Sequence, residues 1–92
     1  MSETITLNDT HTDIVTGKPH NVILFNDEHH SMDEVTNQII KAINCSQSRA
    51  IGIMTEAHSS GRAVVFTGGL ERCELVADIL EEIRLGTKIE PV

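Results

Sequence analysis

Four consecutive apolar residues, Val22-Ile23-Leu24-Phe25, stop abruptly at Asn26-Asp27-Glu28-His29-His30. Directly after them Ser31 and Glu34 make the pattern S-x-x-E. In that pattern the hydroxyl and the carboxylate each satisfy a backbone N–H that a helix start leaves unpaired. A short apolar run, a polar interruption and a capped start predict a strand, a loop and a helix in immediate succession. Met32, Val35, Ile39, Ile40 and Ile43 then recur at helical spacing, and Asn44 is the expected stop.

The rest of the chain reads in the same way. Ser46 is the expected cap of a second helix, in which Ala50, Ile53, Met54 and Ala57 repeat at i, i+3, i+4 and i+7. Ser59-Ser60-Gly61 ends it. Ala63-Val64-Val65-Phe66-Thr67 is rich in β-branched residues and reads as a strand, with Gly68-Gly69 as a turn. A third helix carries Leu75, Val76, Ile79, Leu80 and Ile83 on its apolar side. Glu71 falls in its first turn, Arg84 in its last, and Gly86 is the expected residue just past its end. Thr87-Lys88-Ile89-Glu90 alternates as a last strand. Pro91 has no N–H to give a ladder, which places that strand at an edge or ends it there.

The order β-α-α-β-α-β predicts an α+β two-layer sandwich: a small three-stranded antiparallel sheet with three helices on one face. The first residues, 1–19, are polar and rich in Thr and Asp, and read as a flexible arm before a core domain of residues 20–92. They lack the basic start and apolar run of a signal peptide. No segment approaches the roughly 18 apolar residues of a membrane span.

Charge narrows the function classes. The chain has 92 residues and a formal net charge of −7, with only seven Lys and Arg, scattered from Lys18 to Lys88. Nucleic-acid and polybasic membrane binding need clustered cations, so a basic partner or a positively charged ligand group suits this field better. Two cysteines, Cys45 and Cys73, form no C-x-x-C pair and read as small, buried, reduced thiols of a cytoplasmic protein. An enzyme is not expected: there is no phosphate loop, no zinc-protease motif and no recognisable nucleophile–base surround.

Two segments carry the binding chemistry. Asn26-Asp27-Glu28 sits between a strand and a helix, where polar groups are held on a rigid frame. The same Asn and Asp also suit a turn that bonds its own backbone. His58 lies at the end of the second helix, on a stripe with Ile51 and Met54. It reads either as a half-buried side chain or as an acceptor at the mouth of an apolar pocket. Met32 and Met54 belong to apolar faces of different helices, and methionine also lines sites that adapt to several ligands.

Together these segments resemble the ClpS family. V-I-L-F-N-D-E-H-H-S-M-D-E-V, residues 22–35, is similar to its V-x-L-x-N-D-D-[aromatic]-T-P-M-x-[aromatic]-V. A-I-G-I-M-T-E-A-H-S-S-G-R-A, residues 50–63, is similar to its A-x-x-x-M-x-x-[V/A]-H-x-x-G-x-A, at the family's interval. The resemblance implies an adaptor that recognises the amino-terminal residue of a substrate and hands it to a ClpA/ClpC-type AAA+ unfoldase of the Clp protease. The implied fold is similar to the C-terminal domain of the ribosomal stalk protein. The N-D-E motif, Asn26, Asp27 and Glu28, with His58 would hold the substrate's α-amino group; Asn26, Glu28 and His58 match the family's direct contacts. An α-ammonium offers three donors and takes carbonyl, carboxylate and imidazole acceptors.

The resemblance also implies a hydrophobic pocket lined by Leu24, His30, Met32, Val35, Met54 and Ala57, with Met32 as gatekeeper. It would accept bulky first residues: Leu, Phe, Tyr or Trp. Glu71 and Glu74, at the start of the third helix, match the unfoldase contact, and the arm would serve handover. A monomer without cofactor or metal is implied.

This sequence departs from the pattern at several positions. Glu28 stands for Asp, His29 for an aromatic, and His30-Ser31 for Thr-Pro. Ala57 stands for Val and Val76 for Lys. Two other readings stay open: a ClpS-like domain with a different partner, and a metal site drawn from His20, His29, His30 and His58 with Asp27 or Glu28.

Overall fold

The computed structural model describes residues 17–92. The expected arm lies outside them apart from its last three residues, and of those Pro19 already opens the first strand. The elements follow the predicted order: β1 (Pro19–Phe25), α1 (Met32–Ile43), α2 (Gln47–Ser60), β2 (Arg62–Gly69), α3 (Leu70–Glu81) and β3 (Thr87–Pro91). The sheet is antiparallel throughout, in the order β2-β1-β3. β1 is therefore central, and β3 with its Pro91 lies at an edge.

Local chemistry accounts for most boundaries. Ser31 caps α1 with both halves of the box in place: Glu34 N–H donates to the Ser31 hydroxyl at 3.1 Å, and Ser31 N–H donates to the Glu34 carboxylate at 2.8 Å. Asn44 closes α1 with left-handed backbone, a conformation that Asn tolerates better than most residues. Ser46 caps α2 through Arg49 N–H. Gly61 ends α2 at φ +90°, where a side chain would strain the backbone.

The layers meet in one aliphatic core. Val22 and Leu24 of β1, Val35 and Ile39 of α1, and Ala50, Ile53, Met54 and Ala57 of α2 form it with Ala63 and Val65 of β2. Cys73, Val76, Ala77 and Leu80 of α3 complete it with Leu85. β2 carries one extra residue, Val65, between the pairs Val22–Phe66 and Ile23–Val64. Val65 itself faces the core, on the same side of β2 as Ala63. Gln38 is buried and ties α1 to the end of α3, donating to Ile79 O at 2.6 Å and to the Glu82 carboxylate at 3.1 Å.

Five local expectations are corrected. Gly68-Gly69 is no free turn: both finish β2, and Gly69 stands as the cap residue of α3 without a side-chain bond. α3 ends at Glu81, earlier than the apolar spacing implied. The chain then closes through Arg84 N–H to Glu81 O at 2.8 Å and Leu85 N–H to Leu80 O at 3.4 Å. The left-handed residue of this pattern is Arg84, φ 66°, and not Gly86. Leu85 is only 2% exposed, so the turn must come before it to bring it inward. Leu75, read as a core residue, is 61% exposed. Of the two cysteines, Cys73 is buried, and burial pushes its thiol up; Cys45 is half-buried.

Candidate functional site

The end of β1 and the end of α2 converge because their backbones are bonded. Asn26 N–H donates to Gly61 O at 2.9 Å, so the loop after β1 is pinned three residues beyond His58. This bond depends on the left-handed turn at Gly61. One residue earlier, Phe25 N–H donates to Gly86 O at 3.0 Å. The strand end is thus held from both sides before the polar loop begins.

Beside this junction lies a pocket of about 330 Å³, including its open mouth. It is lined by Leu24, His30, Met32, Val35, Met54 and Ala57, the residues that the resemblance implied for a pocket. Asn26, Asp27 and His58 join the lining. Leu24, Val35, Met54 and Ala57 are buried, whereas Met32 is 59% exposed and stands at the rim. Phe25 also lines the pocket. Sequence reasoning took it for a strand residue only; its place directly before Asn26 was the available signal.

Glu28 does not line the pocket. It is exposed, and its carboxylate accepts a 2.8 Å bond from the Asn26 side-chain amide. With Nδ2 turned to Glu28, Asn26 keeps its side-chain carbonyl as an acceptor. His58 is exposed and makes no hydrogen bond among the described residues, so the half-buried reading of it does not hold.

Asp27 has a different occupation. One carboxylate oxygen accepts from His29 N–H at 3.0 Å, from His30 N–H at 2.6 Å and from His30 Nδ1 at 3.0 Å. Its side chain is only 9% exposed. Burial alone would raise this carboxyl, but the bonds to His30 and His29 outweigh it and hold the group below 3.8. Asp27 therefore shapes the loop by the local turn chemistry open to Asp. A folded value below the unfolded one means its stabilisation is complete well above the ordinary carboxyl range and is lost as pH falls through the unfolded and then the lower folded value. Asp27→Ala is expected to cost about 1–3 kcal/mol at pH 7. In urea melts the gap between wild type and variant should close progressively as pH falls through the carboxyl range.

The candidate metal set is not assembled. No three His, Cys, Asp or Glu among the described residues are grouped to hold an ion. His20 is buried in β1 with Nδ1 3.1 Å from Lys18 O, while His29 is exposed on the loop. Glu71 and Glu74 are brought together with Leu75 and Asp78 in a shallow groove on α3, and none of these lines the pocket. No helix among the described residues is long and apolar enough to cross a membrane.

Known proteins resemble this chain in sequence and in fold. The human E3 ubiquitin-protein ligase UBR2 is 38% identical over 58 residues, 63% of this chain, but the chain spans only 3% of that protein's length. The ATP-dependent Clp protease adapter protein ClpS of Gloeobacter violaceus is 38% identical over 73 residues, 78% of each chain. That of Synechococcus elongatus is 31% identical over 90 residues, covering 97% of this chain and 95% of its own. Among solved structures, Agrobacterium tumefaciens ClpS2 bound to L-phenylalaninamide superposes with a TM-score of 0.78. It covers 83% of this chain and 99% of its own at 24% identity, a likeness of fold. The family model for the ATP-dependent Clp protease adaptor protein ClpS matches residues 16–87, and with that match the chain belongs to the ClpS family.

Proposed function

We propose that this protein is an adaptor that binds the amino-terminal residue of a polypeptide and delivers it to the Clp protease. One observation carries the reading: Asn26 and His58, residues able to accept hydrogen bonds, line an otherwise largely aliphatic pocket, and Glu28 is bonded to the Asn26 amide. Such a site suits a ligand with a cationic donor group beside a bulky apolar side chain. L-phenylalaninamide, bound by the Agrobacterium protein, has a free α-amino group and a benzyl side chain of this kind.

In this reading the α-amino group donates to Asn26 and His58, and the carboxylate of Glu28 supplies the opposite charge nearby. The first side chain enters between Leu24, Val35, Met54 and Ala57, with Met32 swinging at the rim. Burying a large apolar side chain there contributes roughly 1.5–3 kcal/mol. Bulky hydrophobic first residues are the proposed ligands. The exposed face of α3 at Glu71 and Glu74 is the proposed contact for a ClpA/ClpC-type unfoldase, and a cytoplasmic monomer is the proposed working form.

The test is a titration by fluorescence anisotropy. Labelled peptides beginning Leu, Phe, Tyr, Trp, Ala or Val are compared with a free and with an acetylated amino terminus. Free bulky termini should bind, and acetylation, which removes the charge and two donors, should weaken them by about 100-fold or more. Equal binding of blocked and free peptides would remove amino-terminal recognition and leave a ClpS-like domain with another partner.

A further inference from the structure

His30 occupies part of the pocket wall with one of its two ring nitrogens already committed. The Asp27 oxygen facing Nδ1 is that of a carboxylate held below its ordinary range and already carrying two backbone N–H bonds. An ionised carboxylate only accepts, so the 3.0 Å contact requires the proton on Nδ1. In the neutral ring this leaves the lone pair on Nε2. Nε2 makes no hydrogen bond among the described residues. The imidazole side chain is 20% exposed, so a ligand side chain filling the pocket would take away much of the water left to it.

We propose that His30 is a specificity-determining residue that favours a first side chain carrying a hydrogen-bond donor, so that tyrosine is bound in preference to phenylalanine. The inference rests on the amino-terminal binding proposed above and names which ligands within that class fit best. A phenylalanine ring would strip water from Nε2 and return nothing, whereas a hydroxyl donor would satisfy it. Asp27 acts here as a positioning residue: it fixes the ring and its tautomer without touching the ligand.

The experiment compares two peptides that differ only in the first residue, Tyr or Phe, each with a free amino terminus. They are titrated into the wild type and into His30→Leu. The wild type should bind the Tyr peptide about five- to tenfold more tightly, the gain of one hydrogen bond in a partly exposed site. The variant should bind the two within about twofold, because the acceptor is gone while an apolar wall remains. Equal binding in the wild type, or a preference for Phe, overturns the proposal. A Tyr preference that survives in His30→Leu overturns it as well, since the acceptor then lies elsewhere.

Where His30→Leu does not fold, 15N spectra of the wild-type histidines decide. A shift of the His30 Nε2 resonance with the Tyr peptide and not with the Phe peptide supports the contact, and equal shifts overturn it. Failure of both free peptides to bind the wild type overturns the amino-terminal reading and this inference with it. Binding of both without discrimination overturns this inference alone.

Discussion

Asn26→Ala is expected to bind a peptide beginning with free Phe about 10–100-fold more weakly than the wild type does, because an acceptor for a charged donor is worth roughly 1.5–3 kcal/mol. Two interactions go at once. The side-chain carbonyl of a residue that lines the pocket is removed, and Glu28 loses its 2.8 Å bond to the Asn26 amide. The fold should survive the change. The link between the strand end and α2 is made by the Asn26 backbone N–H to Gly61 O, and alanine keeps it. Thermal melts should therefore differ by no more than about 4 °C. Anisotropy with the same free Phe peptide measures the loss. An unchanged affinity would show that the Asn26 amide only organises its turn, and the site would have to be sought elsewhere on the pocket wall.

The second large effect concerns stability, and a pair of leucines on one helix isolates its cause. Leu80 is 0% exposed and Leu75 is 61% exposed. Leu80→Ala opens a cavity between α3 and the rest of the aliphatic core, at a cost of about 2–5 kcal/mol. A chain of this length has roughly 5–14 kcal/mol in total, so the loss is a large share of it. Leu75→Ala should stay within about 0.5 kcal/mol. Urea denaturation followed by circular dichroism reads both from the midpoint, with the slope against urea unchanged. Equal losses for the two would mean that Leu75 is covered in solution, by a second copy or by another part of the chain.

Much of the fold was legible because the signals behind it are local. The S-x-x-E box at Ser31 and Glu34, the cap at Ser46, and the stops at Asn44 and Gly61 all involve atoms within a few residues of one another. Their hydrogen bonds form wherever the chain is placed. The stripe Ala50, Ile53, Met54 and Ala57 became the buried face of α2 because nothing polar competes on it. The pocket lining was legible for another reason: it is what the resemblance to the two family motifs, one running from β1 into α1 and one on α2, implies.

What failed was decided by neighbours far away in sequence. On α3 the apolar residues are wider than one face, and spacing alone could not say which of them the sheet would cover. Packing took Leu70, Cys73, Val76, Ala77 and Leu80, and left Leu75 outside. By residue type Gly86 is the natural end of that helix. Leu85 instead had to reach the core, and Gly86 O was needed by the N–H of Phe25, so the left-handed turn moved back to Arg84.

The same division runs through the site. The sequence by itself, through its resemblance to the two family motifs, determined which residue types stand at the pocket: Asn26, Asp27, His30, His58 and the aliphatic lining. Only the tertiary structure decided which of their atoms are free. It brought His58 of α2 to the same pocket as Asn26, left Glu28 out of the lining and added Phe25 to it, whereas the bonds of Asp27 to His29 and His30 are local to the loop. The reason is physical. A residue's identity supplies its donors and acceptors, but which of them is left for a ligand depends on the partners that folding brings within about 3 Å.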